Sequence, residues 1–298
     1  MAIVYCSWAT GNDTSGTGTA ANPYQTITKA STGLTGGDEV RVAKSPDPTA
    51  LTGTTAWTLN GTTVTGTGTL FTTELAIGDF ISAPDGNWYE VITITSNTSA
   101  TLYKKYPSAS ASGHSSQKLG VTDTGAAAGS TTSVQTVSAS GTSSANLKIS
   151  GGWDLSTETQ TGQTWFRQMH GTFNNRYGYG LYLSSKSCVS LDKLNFLRYN
   201  YGICYTNSSN NTITSASCNS NGGRGIAYTS SSNNNTITSA TCNSNGTYGI
   251  YYNSSSNNTI YALSTTGNTA GAIYADNANN ICHSATIAES TRVDIGAA

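Results

Sequence analysis

Cleaving a glycosidic bond takes two carboxylates set roughly 5–9.5 Å apart across it, so the acidic side chains are the first residues to place. Beyond Leu147 they are Asp154, Glu158, Asp192, Asp276, Glu289 and Asp294, and residues 202–268 contain none. Asp154 and Glu158 are close enough in sequence to share a loop and form a pair. Asp154, however, directly follows Gly151-Gly152-Trp153, a turn setting in which a carboxylate caps backbone N–H groups. A lyase would instead gather acids around calcium beside an Arg or Lys; Arg224 stands alone, with Arg198 and Lys186 earlier in the chain. His114, His170 and His283 follow no Ser/His/Asp order, and His283 falls in the column of Leu191, Ser215, Ser239 and Ala262, as a wall residue would. Cys6, Cys188, Cys204, Cys218, Cys242 and Cys282 lack the CxxC spacing of a zinc site and read as buried free thiols. Gly11, Gly16 and Gly18 have neither the leading strand nor the Lys-Ser/Thr of a phosphate-binding loop. These residues assign no catalytic group, no metal ligand and no cofactor.

The tyrosines offer more. Tyr199, Tyr201, Tyr205, Tyr228, Tyr248, Tyr251, Tyr252 and Tyr274 lie among Asn and Ser, and aromatic faces beside uncharged hydrogen-bonding groups suit a polysaccharide. Some of these rings must fill a core. The candidates for a sugar-facing wall are Tyr205, Tyr228, Tyr251 and Tyr274, with Arg224 among them.

The elements that would position them follow from a repeat. Asn211-Thr212-Ile213 through Cys218-Asn219-Ser220-Asn221 returns at Asn235-Thr236-Ile237 through Cys242-Asn243-Ser244-Asn245, 24 residues later, with worn copies from Asn258 and Asn280. A second column runs Leu181, Ile203, Ile226, Ile250, Ile273 at spacings of 22 to 24. Such a period marks a solenoid. The units lack helical i, i+3, i+4 apolar spacing and abound in Gly, Asn and Thr, so each reads as short strands with alternate residues inward, such as Ile226 with Tyr228 and Ile250 with Tyr252. The fold expected is an all-β, right-handed parallel β-helix with rungs of about 23 residues stacked ~4.8 Å apart. Ile213, Ile237, Ile260 and Ile281, preceded by Val189, would form one inward ladder. Leu194, Cys218, Cys242 and Thr265 would form another, and Asn211, Asn235 and Asn258 an asparagine ladder at a corner.

Composition agrees. Only 10% of the 298 residues are charged and the formal net charge is −1. Disorder with so little charge and 17 Tyr is disfavoured, and nothing basic is gathered to hold nucleic acid. No apolar run reaches the length of a membrane span. Ala2-Ile3-Val4-Tyr5-Cys6-Ser7-Trp8 has neither the basic nor the apolar region of a secretory signal, so folding in a cytoplasm is expected.

Residues 1–51 read as the cap and first rungs, with Pro23 leading to a short helix from about Thr26 to Gly33 and the strand Val40-Arg41-Val42. Residues 52–106 lose the period: Thr63–Phe71, Gly78–Ile81, Trp88–Ile94 and Ala100–Tyr103 alternate as strands around turns such as Asp85-Gly86, as in a small antiparallel barrel or sandwich. Residues 107–298 return to the solenoid, at first irregularly.

The stretch Thr10–Val42, the Gly151-Gly152-Trp153-Asp154 turn and the rungs resemble phage-type right-handed β-helix proteins of the pectate-lyase-like superfamily, which includes tailspikes. The insert, with Gly66–Phe71, Gly78-Asp79 and Tyr89-Glu90-Val91, is similar to a small β-module of phage structural proteins. The resemblance implies a virion structural protein (spike, fibre or capsid decoration) with other virion proteins and host-surface polysaccharide as partners. It implies as the alternative a tailspike depolymerase, and it brings no catalytic residue with it. A low-charge β-helix can associate along its length. Light scattering with an unheated SDS gel separates two assemblies: a homotrimer that resists SDS points to a spike or fibre, a monomer to a decoration protein.

Overall fold

In the computed structural model, which describes residues 1–124, 135–168, 178–277, 279–287 and 293–295, the chain forms two compact units. The larger holds residues 1–45 and the described residues from Val121 onward; it is the right-handed parallel β-helix. One complete rung shows its plan. Val189–Leu197 supplies the first two faces, with a register break near Asp192 where the strand bends, and Tyr201–Thr206 supplies the third. Each face then stacks in parallel from rung to rung. The first runs from Ile3–Cys6 through Glu39–Ala43 and Leu147–Asp154 to Ile281–Cys282, and the third from Gln135–Thr136 to Val293–Ile295.

The core is a set of in-register ladders. Val40, Ile149, Leu191, Ile213, Ile237, Ile260 and Cys282 make the first. In it Ile213 is preceded by Leu191 and not Val189, and it ends on Cys282, leaving Ile281 53% exposed. Phe166, Phe196 and Cys218 belong to the Cys242 ladder, whereas Leu194 stacks on Ala216, Ala240 and Leu263. Each displacement arises because the rungs differ in length: the first-face step from Leu191 to Ile213 is 22 residues, that from Ile213 to Ile237 is 24. The third-face column Leu181–Ile203–Ile226–Ile250–Ile273 forms as expected. All six cysteines are free thiols, but only five are buried: Cys282, on the last described rung of the first face with no further rung to cover it, is exposed.

Corners are turned by residues in the left-handed region, each followed by an inward asparagine. Asn210, Asn234 and Asn257 (φ 57–59°) precede Asn211, Asn235 and Asn258, and Ser220, Ser244 and Gly267 (φ 54–71°) precede Asn221, Asn245 and Asn268. A left-handed residue leaves the next backbone N–H pointing along the stack without a strand partner. The asparagine one rung on accepts it: Asn211 N donates to Asn235 Oδ1 at 2.9 Å, and Asn235 N to Asn258 Oδ1 at 2.9 Å. The amides bond to one another in the same direction at 2.9–3.1 Å, reaching Asn280. The Asn221–Asn245–Asn268 ladder, which the repeat contains and the sequence reading passed over, does the same at the second corner.

At the start of the solenoid the short helix is Ile27–Ala30, capped by Thr26 Oγ1, which accepts from Lys29 N. Ile27 and Ala30 enter the core, and Ile27 N donates to the buried Gln135 Oε1 at 2.7 Å.

The second unit spans Pro46–Gly120, wider than the 52–106 read from texture, because Thr49–Ala50, Ala111–His114 and Gln117–Lys118 pair into its sheet. Eight antiparallel strands enclose Val64, Phe71, Ile81, Val91 and Leu102, with Trp57, Tyr89 and Tyr106 packed ring to ring at 5.3–5.9 Å. Phe71, expected at a strand end, opens the helix Phe71–Glu74. Gly86 takes φ 79° in the turn expected at Asp85-Gly86. Of the irregular stretch after Pro107, residues 125–134 lie outside the described residues.

Truncating a mid-ladder asparagine strands buried donors and acceptors on both sides. Asn235→Ala should lower unfolding free energy by about 2–4 kcal/mol, read as a lower urea midpoint, while Asn233→Ala on the outside of the same corner should cost well under half of that.

Candidate functional site

The third face carries two outward columns. Alternation along Tyr179–Ser184, Tyr201–Thr206, Arg224–Thr229, Tyr248–Tyr252 and Gly271–Ala275 sends Leu181 and its ladder inward and the residue after each ladder position outward. The residue two places before the ladder also lies outward, because alternation breaks at the glycine between, with Gly180 and Gly202 set against the core side chains Phe196 and Cys218. Register therefore lines up Tyr179, Tyr201, Arg224, Tyr248 and Gly271 in one column, and Tyr182, Cys204, Ala227, Tyr251 and Tyr274 in the next. The rings touch across the columns. Tyr179 stacks on Tyr182 at 4.8 Å, Tyr251 on Tyr274 at 4.8 Å, and Tyr248 lies 5.3 Å from Tyr274. Between the two groups of rings the second column narrows to Cys204 and Ala227, both buried. Burial pushes the Cys204 thiol up to about 12, so it stays protonated. Arg224 bridges the interval: its guanidinium lies 3.4 Å over the Tyr251 ring and 4.8 Å over Tyr201, and Nη1 donates to the Tyr201 hydroxyl at 2.6 Å.

Three of the five candidate residues thus meet on one surface: Tyr251, Tyr274 and Arg224, all partly exposed. Tyr205 and Tyr228 do not. They are 0% and 1% exposed and stack inside the solenoid at 4.7 Å, followed by Tyr252 at 5.1 Å. The alternation that sends Ile203 and Ile226 inward carries the residue two places on with them. Burial pushes all three hydroxyls well above the ordinary tyrosine value, and those of Tyr205 and Tyr252 have no hydrogen-bond partner. The same alternation, read for the outside, picks out Tyr182; Tyr179, Tyr201 and Tyr248 lie beyond the glycine at which alternation breaks, and it does not find them.

A second polar cluster surrounds the opening rungs. Glu39 receives Ser150 Oγ at 2.8 Å, Lys148 Nζ at 3.0 Å and Arg41 Nε at 3.1 Å. Burial pushes its carboxyl up, but Ser150, Lys148 and Arg41 outweigh that and hold it below the usual carboxylate range. Arg41 also lies 3.9 Å over the Trp153 ring and donates to the Tyr5 hydroxyl, which in turn donates to Glu158. Glu39 was not singled out by sequence, since its partner Glu158 lies on a distant hairpin. Asp154 is not paired with Glu158: it accepts from the Ser156 hydroxyl and N–H in a tight turn and faces Lys44 at 3.5 Å.

The remaining candidates are apart. Lys186 Nζ donates to the Ser138 carbonyl, and Arg198, in the left-handed region, is buried. His283 is exposed and stacks on Tyr261 at 4.9 Å, one column away from the Ala262 position expected, because the last step is 22 residues. His170 and Glu289 lie outside the described residues. Among the described residues no three of His, Cys, Asp and Glu converge as metal ligands, and no helix is long and apolar enough to cross a membrane.

The chain is a parallel β-helix with an aromatic outer surface on its third face. The family model described as "Periplasmic copper-binding protein (NosD)" matches residues 155–298, a little less than half of the chain. Among solved structures the chain is similar to a rhamnogalacturonan lyase, at 10% identity and a TM-score of 0.47, over 100% of this chain and 60% of that one. It is also similar to the tailspike protein gp49 from Pseudomonas phage LKA1 (11% identity, TM-score 0.26, 80% of this chain and 52% of that one). A third is the Gp54 tailspike of Acinetobacter baumannii bacteriophage AP22, solved in complex with A. baumannii capsular saccharide (12% identity, TM-score 0.24, 84% and 47%). The chain thus spans between about half and three-fifths of the length of each of these structures. No curated protein matches it.

The two kinds of tyrosine should separate in mutants. Tyr205→Phe deletes a buried hydroxyl without a partner, and should leave stability unchanged or raise it by up to about 1 kcal/mol. Tyr205→Ala should cost about 3–5 kcal/mol through the cavity it opens. Urea unfolding measures both, and a Phe variant weakened by more than 1 kcal/mol would mean that the hydroxyl is bonded after all.

Proposed function

We propose that this protein is a non-enzymatic structural component of a bacteriophage virion, a spike, fibre or capsid-decoration protein, that holds host-surface polysaccharide against its third face. The observation that carries the binding half of this reading is the row of partly exposed rings from Tyr179 to Tyr274. Sugar rings present apolar C–H faces edged by hydroxyls, and aromatic faces with neighbouring polar groups complement both. Parallel in-register strands fix the spacing of the rings, so a linear glycan meets a surface already organised, with little ordering left to oppose binding. The virion half, with other virion proteins as partners, the virion as location and a homotrimer as assembly, is supported by the resemblance of the opening segment and of the insert to phage proteins. Copper, named in the description of the matching family model, has no fitting donor set among the described residues, where Cys218 and Cys242 are buried with their thiols pushed well up by burial.

The second reading, a polysaccharide depolymerase, is favoured by one observation: Glu39 and Glu158 are linked through Arg41 and Tyr5 beside Trp153. Against it, a general acid needs a raised carboxyl, and Glu39 is held low by three donors.

The readings part in one experiment. The protein is titrated by calorimetry with capsular and O-chain oligosaccharides from a bacterial panel, and the viscosity of the parent polymer that binds is followed over time. Binding without loss of viscosity is expected, and Tyr251→Ala and Tyr274→Ala should each weaken it about tenfold, ~1.4 kcal/mol, with the melting curve retained. Catalytic loss of viscosity at low protein concentration would replace this reading with the depolymerase.

A further inference from the structure

Arg224 is out of character with its surroundings. It occupies a column position filled by tyrosine on the rungs before and after, Tyr201 and Tyr248, in a stretch, residues 202–268, that holds no acid and no other Lys or Arg. Four other cations of the solenoid are neutralised or anchored: Arg41 and Lys148 on Glu39, Lys44 on Asp154, Lys186 on a backbone carbonyl. Among the described residues Arg224 makes no ion pair. Its protein contacts are two aromatic faces and one tyrosine hydroxyl, which takes a single donor from Nη1. Nε is shut off from water without a partner. Covering the buried Ala227 beneath it would need only an apolar stem or a ring, as elsewhere on this face. What remains is a guanidinium flattened on Tyr251, its plane fixed by the ring and its orientation by Tyr201, with further N–H donors at the two terminal nitrogens.

On these observations we infer that Arg224 is a carboxylate-reading position: the third face takes a polysaccharide bearing acidic sugars, whose carboxylate forms charge-assisted hydrogen bonds to the Arg224 terminal nitrogens, held in place by Tyr251, while flanking sugar rings lie against Tyr274 and the Tyr179–Tyr182 pair. This deepens the glycan reading of the preceding section and rests on it. A planar fork matches a carboxylate, and a fork already held in place loses little freedom when it binds. Attraction at a lone cation, in the stretch 202–268 that holds no acid, also gives selectivity for a charged ligand.

The test uses one polymer in two chemical forms. Oligosaccharides of polysialic acid are compared with the same oligosaccharides after reduction of their carboxyls to primary alcohols, which removes the charge and keeps the chain. Dextran and dextran sulfate are run beside them. With the wild-type protein the carboxylated form should bind at least tenfold more tightly than the reduced one, with an affinity that falls as salt rises, and dextran sulfate should not match it. Arg224→Gln should bring the two forms to within twofold of each other, and Arg224→Lys, which keeps the charge and loses the fork, should restore part of the preference. Equal binding of both forms to the wild type, preference retained in Arg224→Gln, or dextran sulfate binding as tightly as the carboxylated chain would each overturn the carboxylate assignment. Weak binding of every glycan, unaffected by Tyr251→Ala, would instead overturn the glycan reading beneath it. Near-ultraviolet circular dichroism of each variant checks that the face is intact.

Discussion

Each corner of the solenoid turns through a left-handed residue, and the N–H that follows must be met from the neighbouring rung. Asn211, Asn235, Asn258 and Asn280 at one corner, and Asn221, Asn245 and Asn268 at another, meet it with a side-chain oxygen and pass the debt upward through their own amides. A buried backbone donor without a partner costs about 1–3 kcal/mol, so a slipped rung would lose several such bonds together. The strands tolerate no independent register in consequence: once the corner asparagines align, the residues between them are placed. The hydrophobic ladders fill the space that this alignment creates. They enforce the same register, since a slip of one residue would turn Leu191, Ile213, Ile237 and Ile260 outward.

Register, once set, divides the third face into an inside and an outside with different chemistry from the same residue type. Tyr205, Tyr228 and Tyr252 stand inside as a stacked pile, where their rings contribute packing and their hydroxyls contribute little or oppose burial. Tyr182, Tyr251 and Tyr274 stand outside, one position earlier on their strands, with rings that remain partly open to water. A shift of a single residue would exchange the two sets. The asparagine corners are therefore what gives the outer surface its aromatic character, although no ladder asparagine touches it.

The fold was legible because its period is written twice, in Asn211–Asn221 and again in Asn235–Asn245, and because helical repeats need a spacing that these units lack. Phase was less legible. Equal sequence spacing is not structural register when corners gain or lose residues, so Val189 was aligned with Ile213 in place of Leu191, Leu194 with Cys218 in place of Phe196, and Ile281 with Ile260 in place of Cys282. The missing cue lay in the corners: counting from Asn211 and Asn280, the last residue before each strand, gives the observed pairs. The surface candidates failed in part for a related reason. Tyr205 and Tyr228 were chosen as sugar-facing by residue type, while the strand alternation that had placed Ile226 and Tyr228 on one side already put them in the core. Glu39 and Glu158, by contrast, come together through a hairpin, and no periodicity in the chain announces that meeting.

Charge is distributed along the solenoid as unevenly as order is. The opening rungs hold Glu39, Arg41, Lys44, Lys148, Asp154 and Glu158 in mutual contact, an arrangement in which each group satisfies another and none is left to act on a ligand. Residues 202–268 hold no acid and one guanidinium. For a surface meeting polymers in salt water that is the more selective design. Paired charges are screened and already spent, whereas a single cation lying on aromatic rings sits in a locally low dielectric, where its attraction for an anion is stronger than in bulk water. With no acid in residues 202–268, the rungs beside Arg224 hold no carboxylate that would compete for it. The absence of carboxylates in residues 202–268 weakens the case for hydrolysis there, and by the same physics it strengthens the case for recognition.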